Sequence, residues 1–98
     1  DLAMLGDGSV DLLLAVDSWV FVVPAGPAVA DVMTAEIARV LAPGGDWLVF
    51  NWSYRGDPAL DEADARALAA RHGLEVVRCG ERPFAIWDGV GFHLRKPA

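Results

Sequence analysis

Ala35-Glu36-Ile37-Ala38-Arg39-Val40-Leu41-Ala42-Pro43-Gly44-Gly45-Asp46-Trp47-Leu48-Val49-Phe50 decides how this chain is read. The first part has the pattern of the end of an amphipathic helix. Pro43 cannot continue a helix, and it pushes Ala42 out of the α region. Gly44 and Gly45 permit a reversal within two residues. An apolar run from Trp47 to Trp52 then reads as a buried strand.

Upstream, Val10 to Val16 is nearly all apolar without strict alternation, the mark of a strand covered on both faces. Gly6-Asp7-Gly8-Ser9 before it is turn-forming. After it come Asp17-Ser18-Trp19, the apolar Val20-Phe21-Val22-Val23, and a break at Pro24-Ala25-Gly26-Pro27. A helix is expected from Pro27, with Val29, Val32, Met33, Ile37, Val40 and Leu41 on its buried stripe and Asp31, Thr34 and Arg39 away from it. Downstream, Asp61 reads as the N-cap of a second helix running to about His72, with Gly73 closing it. Its narrow apolar face is Ala65, Leu68, Ala69 and His72. Leu74 to Cys79 is a third strand, Arg82 to Gly89 a hairpin with Trp87 as its anchor, and Val90 to Leu94 a last strand with one buried face. Strand, helix, strand, helix, strand, strand predicts a layered α/β sheet whose last two strands are antiparallel neighbours.

Ninety-eight residues bound the chain to one small domain. A hydrophobic fraction of 54% is high for that length, and the chain starts at Asp1, so we expect residues 1–98 to be one partial domain of a longer protein. Eight basic against 14 acidic residues, a net charge of −6, give no basic footprint for nucleic acid, so no nucleic-acid partner is expected. Cys79 alone can form neither an internal disulfide nor a cysteine zinc site, and the metal expectation is none. The apolar run from Trp19 to Ala30 is broken by Pro24, Gly26 and Pro27, and no membrane partner is expected. The single cysteine fits a cytoplasmic protein.

Two motifs carry a resemblance. Glu36 through Gly45 is similar to the helix–"R-V-L-x-P-G-G"–strand segment of class I S-adenosylmethionine-dependent methyltransferases. Asp1 followed by Gly8-Ser9-Val10-Asp11-Leu12 resembles that family's "D-A-x-x-L-P-F-x-D-x-S-F-D", with Gly6 and Asp7 where Pro and Phe are usual. The element order matches the C-terminal half of the family fold. The resemblance therefore implies a Rossmann-like αβα sheet of three layers, with parallel strands and a final antiparallel strand. The family's glycine-rich loop after the first strand has no counterpart here; Gly6 and Gly8 precede a strand instead.

The same resemblance implies S-adenosylmethionine as cofactor and methyl transfer to a small-molecule acceptor. Asp1 would accept from the adenine amino group and the Leu2 backbone would meet the ring. Asp17, Ser18 and Trp19, at the carboxyl end of the first strand, would line the cofactor crevice, and Trp19 could face the sulfonium. At the end of the next strand Asn51 and Tyr54 are the catalytic candidates, able to orient or deprotonate a nucleophile. Trp19, Trp52 and Tyr54 would contact the substrate. Trp19 and Trp52 also read as core residues, and His72 as a helix-dipole partner. The Pro43-Gly44-Gly45 turn would lie at the opposite end of the sheet from this crevice.

A second reading is a noncatalytic α/β fragment or oligomerising domain without cofactor binding. The first strand would then present an open apolar edge, which proteins avoid, and the chain alone should form a homodimer through it or aggregate. Light scattering checks that expectation, and a stable, monodisperse monomer would overturn it.

Overall fold

The computed structural model describes residues 2–81 and 90–98. Asp1 and the expected hairpin at 82–89 lie outside the described residues. Four strands, β1 (Val10–Val16), β2 (Leu41–Phe50), β3 (Glu75–Glu81) and β4 (Gly91–Arg95), form one sheet in the order β1-β2-β4-β3. Helix α1 (Pro27–Val40) joins β1 to β2, and α2 (Pro58–Arg71) joins β2 to β3. The β1–β2 pair is parallel, as a helical crossover requires, and β4 is antiparallel to both β2 and β3. The mixed α/β class and the antiparallel last pair follow the expectation.

The period-2 geometry of the strands sorts their residues onto two faces. On one, Leu13, Trp47 and Leu94 lie in register, and beside them Ala15, Val49 and Phe92. These pack with Ala30 and Ile37 of α1 and Ala65, Leu68 and Ala69 of α2 in a single core. Both helices therefore cover the same face. On the other face Leu12, Leu14 and Val16 are more than half exposed. The two-sided burial expected of β1 is thus half met: no element among the described residues covers that second face. Among the described strands β1 is also the last on its side of the sheet.

Trp47 is wholly buried at the centre of the sheet. Its ring meets Trp19 edge-on at 5.0 Å and Trp52 at 6.2 Å, and Trp52 lies 5.0 Å from Phe92. Truncating a ring of this burial to alanine costs about 3–5 kcal/mol, against a total stability of about 5–15 kcal/mol for a domain.

The helix stop is sharper than the proline alone dictates. α1 ends at Val40, and Leu41 is already extended (φ −66°, ψ 132°). Leu41 pairs with Val10, and pairing resumes only at Leu12 with Asp46, so Ala42-Pro43-Gly44-Gly45 forms a bulge inside β2. Gly44 holds the positive φ (82°), and its N–H donates to the Lys96 carbonyl at 2.7 Å. Gly45 is needed for space: a Cβ there would stand 2.8 Å from the Ala42 carbonyl oxygen, 3.1 Å from that of Val10 and 3.2 Å from that of Asp11.

Two local expectations are corrected. On α1 the buried stripe is Ala30, Thr34, Ile37 and Val40, whereas Val29 and Val32 face outward at 41% and 62% exposure. Thr34 can be buried because its hydroxyl donates to the Ala30 carbonyl at 2.7 Å, so the smaller side chains lie against the sheet. The N-cap of α2 is Asp57, which accepts from the Leu60 N–H at 3.1 Å, with Pro58 in the first turn. Asp61 is instead a buried carboxylate one turn in. Between β1 and α1 the chain coils tightly. Trp19–Phe21 and Val23–Ala25 are two 3₁₀ turns, closed by bonds such as Val22 N–H to the Trp19 carbonyl at 2.9 Å. With no strand beside it, this segment satisfies its backbone locally.

Ion pairs tie neighbouring elements together at their margins. Asp31 of α1 accepts from Arg71 at 2.8 Å and His72 at 2.7 Å, joining the two helices. On the sheet face away from the helices Asp46 accepts from His93 at 2.7 Å and Arg95 at 2.8 Å. Hydrogen bonds from Arg71 and His72 hold the Asp31 carboxyl below its ordinary value of 3.8, and those from His93 and Arg95 do the same for Asp46.

This packing makes Gly45→Ala a destabilising change of about 1–3 kcal/mol, since three backbone carbonyls must give way. Urea denaturation reads it, and an unchanged midpoint would refute it. The lowered carboxyl values mean that ionised Asp31 and Asp46 stabilise the fold. That contribution is present above 3.8 and is lost as pH falls through the lower folded values. Urea midpoints should therefore drop on acidification past about pH 4, and Asp31→Asn with Asp46→Asn should flatten the drop.

Candidate functional site

The carboxyl ends of β1 and β2 lie side by side, because Val16 pairs with Phe50. The next residue of each strand is Asp17 and Asn51. Both are left-handed, at φ 51° and φ 70°, and are the only non-glycine residues with positive φ among those described. The Asp17 N–H donates to the Phe50 carbonyl at 3.0 Å, and the Asn51 N–H to the Val90 carbonyl at 2.9 Å. Across the gap the Asn51 side-chain amide donates to the Asp17 carboxylate. Asp and Asn tolerate this conformation better than most residues, yet it still costs energy. Two such residues, hydrogen-bonded to each other where two strands end, single out this edge as the candidate site.

The bond between them is exposed, and it does not exhaust their acceptors. One Asp17 oxygen takes the Asn51 bond. The other carboxylate oxygen and the Asn51 amide oxygen have the chemistry to accept from a ligand donor.

Beside the pair, Leu2, Ala15, Ser18, Trp19, Met33 and Ile37 line a cavity of about 300 Å³. Leu2, Ser18 and Trp19 are three of the residues expected at the cofactor, so the structure brings those three together. The lining is mainly apolar, which suits a flat, heteroaromatic ring. A second cavity of about 190 Å³ lies between the start of α1 and α2, lined among others by Trp19, Trp52, Arg55, Asp64, Leu68 and Arg71. Trp19 is the wall shared by both. Trp19 and Trp52 are also core residues, at 3% and 1% exposure, so each offers a ligand only part of its ring. Tyr54 is 70% exposed and lines neither cavity.

Two arginines hold the loops after β2 and before β1, and the sequence shows the partners of neither. Arg55 donates to Asp61, to Asp64 at 2.8 Å and to the Ser53 hydroxyl at 3.1 Å, and Ser53 donates to Asp61 at 2.7 Å. Burial works against the Arg55 charge, but the bonds to Asp61 and Asp64 outweigh it and hold its pKa above the usual value. This closes the loop after β2 onto α2. Arg39, in the last turn of α1, holds the loop before β1. In sequence each arginine looks like an ordinary surface cation; only the carboxylates folded against it reveal the role. Burial pushes the Cys79 thiol above its usual value, in keeping with a packing residue. Among the described residues no group of His, Cys, Asp and Glu could hold a metal ion, and no helix is long and apolar enough to cross a membrane.

No family model and no curated protein matches the sequence. Solved structures do match. A "Putative DNA Modification Methylase" from Thermus thermophilus, complexed with S-adenosyl-L-methionine, superposes with a TM-score of 0.66 at 18% identity, over 99% of this chain and 52% of that one. A SAM-dependent methyltransferase from Methanosarcina mazei gives 0.68 at 14% identity, over 95% of this chain and 62% of that one. A "possible exported protein" from Bordetella parapertussis gives 0.67 at 16% identity, over 98% and 42%. The fold is that of the C-terminal half of a class I S-adenosylmethionine-dependent methyltransferase. The chain spans about half the length of these structures.

The expectation of a small-molecule partner and no nucleic acid is overturned here. A structure with this fold carries the name of a DNA modification methylase. The physical error lies in the charge argument. A net charge counted over about half the length of such a structure does not fix the field around the whole of it.

Asn51→Gly and Asn51→Ala both delete the bond to Asp17, but only glycine relieves the left-handed backbone. The glycine variant should be the more stable by about 1 kcal/mol. Equal unfolding midpoints would show that Asn51 carries no strain.

Proposed function

We propose that this chain forms part of an enzyme that transfers a methyl group from S-adenosylmethionine, with the reacting atoms held over the ends of β1 and β2. The observation that carries the reading is the strained Asp17–Asn51 pair, standing where open α/β sheets bind ligands. The fold and the S-adenosyl-L-methionine held by one neighbour support it. The cofactor supplies a methyl carbon already activated by the adjoining sulfonium.

The residues divide by position. Leu2, Ser18 and Trp19 hold the cofactor's flat base in the larger cavity, with Asp1 as a further acceptor. Asp17 meets the cofactor or acceptor with its second carboxylate oxygen. Asn51 fixes the orientation of Asp17 and offers its own amide oxygen to a donor. Trp52 walls the neighbouring cavity, and Tyr54, exposed in the loop after β2, is accessible to an acceptor. Little acid–base help is needed. Alignment of an in-line displacement accounts for most of the acceleration, and misplacement by about 1 Å costs about 10²-fold. Two further acceptor oxygens favour a substrate that donates hydrogen bonds, such as an amino group. The name of the Thermus structure makes a nucleic-acid base the first acceptor to test.

Titration of the full-length protein with S-adenosylhomocysteine tests the reading, and saturable binding is expected. No binding would overturn it. Asn51→Ala should lower the methylation rate at saturating cofactor by about 10²-fold. A normal rate in that variant would remove Asn51 from the machinery.

A further inference from the structure

We infer that Arg39 is a positioning residue for the base-binding end of the cofactor site, acting through the loop before β1; the inference rests on the methyl-transfer reading. Arg39 gathers hydrogen bonds from along that whole loop. Its Nη1 donates to the Leu5 carbonyl at 2.9 Å and to Asp7 at 2.7 Å. Its Nη2 donates to the Leu2 carbonyl at 3.0 Å. Its Nε donates to Glu36 at 2.7 Å, one turn back on the same helix. The Arg39 backbone carbonyl accepts from the Gly8 N–H at 2.9 Å.

The effect is to fix a loop that has little secondary structure to hold it. Leu2 to Gly8 contains no helix or strand, and Met4 is 87% exposed. Within the loop, the Leu5 N–H returns to the Leu2 carbonyl at 3.0 Å, so the guanidinium caps a turn whose first residue is Leu2. Leu2 is also the residue of this loop that lines the larger cavity. The ion pair with Glu36 steadies the guanidinium plane, and the planar fork reaches both carbonyls and Asp7 at once. A lysine at this position would keep the charge but not the fork.

The guanidinium is not part of the core. Its side chain is 30% exposed, and the buried stripe of α1 runs through Ala30, Thr34, Ile37 and Val40. Loss of Arg39 should therefore free the loop without unfolding the helix. The consequence is selective: a weakened grip on the cofactor's base, with the chemistry over Asp17 and Asn51 left intact.

The test compares the full-length protein with its Arg39→Ala and Arg39→Lys variants in two measurements. Hydrogen exchange should show faster exchange at the Leu5 and Gly8 amides in Arg39→Ala, a readout that needs no cofactor. Titration should show the Kd for S-adenosylhomocysteine raised about tenfold, equivalent to the loss of about one charge-assisted hydrogen bond. The rate at saturating cofactor should stay within about twofold, and Arg39→Lys, which keeps the charge and the helix, should fall between. Unchanged affinity in Arg39→Ala, or unchanged exchange at the two amides, overturns the inference while leaving the methyl-transfer reading in place. A rate that falls at saturating cofactor also overturns it, since Arg39 would then act beyond the base. No binding by the unsubstituted protein overturns the reading itself, and the inference with it.

Discussion

The structure depends on the packing of three tryptophans. Trp47 sits at the centre of β2, and its ring meets that of Trp19, from the turn after β1, and that of Trp52, from the loop after β2. These contacts do two things at once. They fill the space between sheet and helices, and they tie the two segments that leave the ligand edge to the most buried point of the sheet. Asp17 lies just ahead of one of these tied segments, and Asn51 immediately precedes Trp52. Their left-handed backbones are held because the residues that follow cannot move without opening the core. Strain of this kind persists only where the surroundings over-determine it.

A second constraint acts from the other end of the sheet. The bulge at Ala42 to Gly45 lets β2 begin immediately after α1 and still pair with β1 on either side of the interruption. Gly45 makes this possible by leaving room for three carbonyl oxygens. The same short connection places Arg39 beside the loop that precedes β1. A segment that looks purely architectural therefore reaches the candidate cofactor cavity through a single side chain. The residues that hold the site are in this sense spread over both ends of the sheet, although the site occupies only one.

Much of the fold is legible in the residues, for particular reasons. Pro43 with two glycines can only stop a helix, and the apolar runs at Val10 to Val16 and Trp47 to Trp52 have the length and composition of strands. Sequence and structure part where a pattern has two solutions of similar quality. Val29 and Val32 look like core on α1, whereas the sheet accepts Ala30 and a self-satisfied Thr34 more closely. Asp61 and Asp57 are equally suited to cap α2, and the proline after Asp57 decides between them. At the site, Asp17, Ser18, Trp19, Asn51 and Trp52 stand out by their position at strand ends. The division of the cavity-lining residues between two cavities is not legible, because cavity walls are shared by residues distant in sequence.

Local sequence suffices for the order of elements, the crossover class and the edge at which a ligand would sit. Those depend on propensity, periodicity and the handedness of βαβ units, which neighbouring residues encode. Only the folded chain reveals that both helices lie on one face, that Asp17 and Asn51 join, and that Arg39 and Arg55 clamp loops before β1 and after β2. Most of these are contacts between segments tens of residues apart. They are set by strand register and by which carboxylates and carbonyls the fold delivers within reach of a guanidinium or an amide.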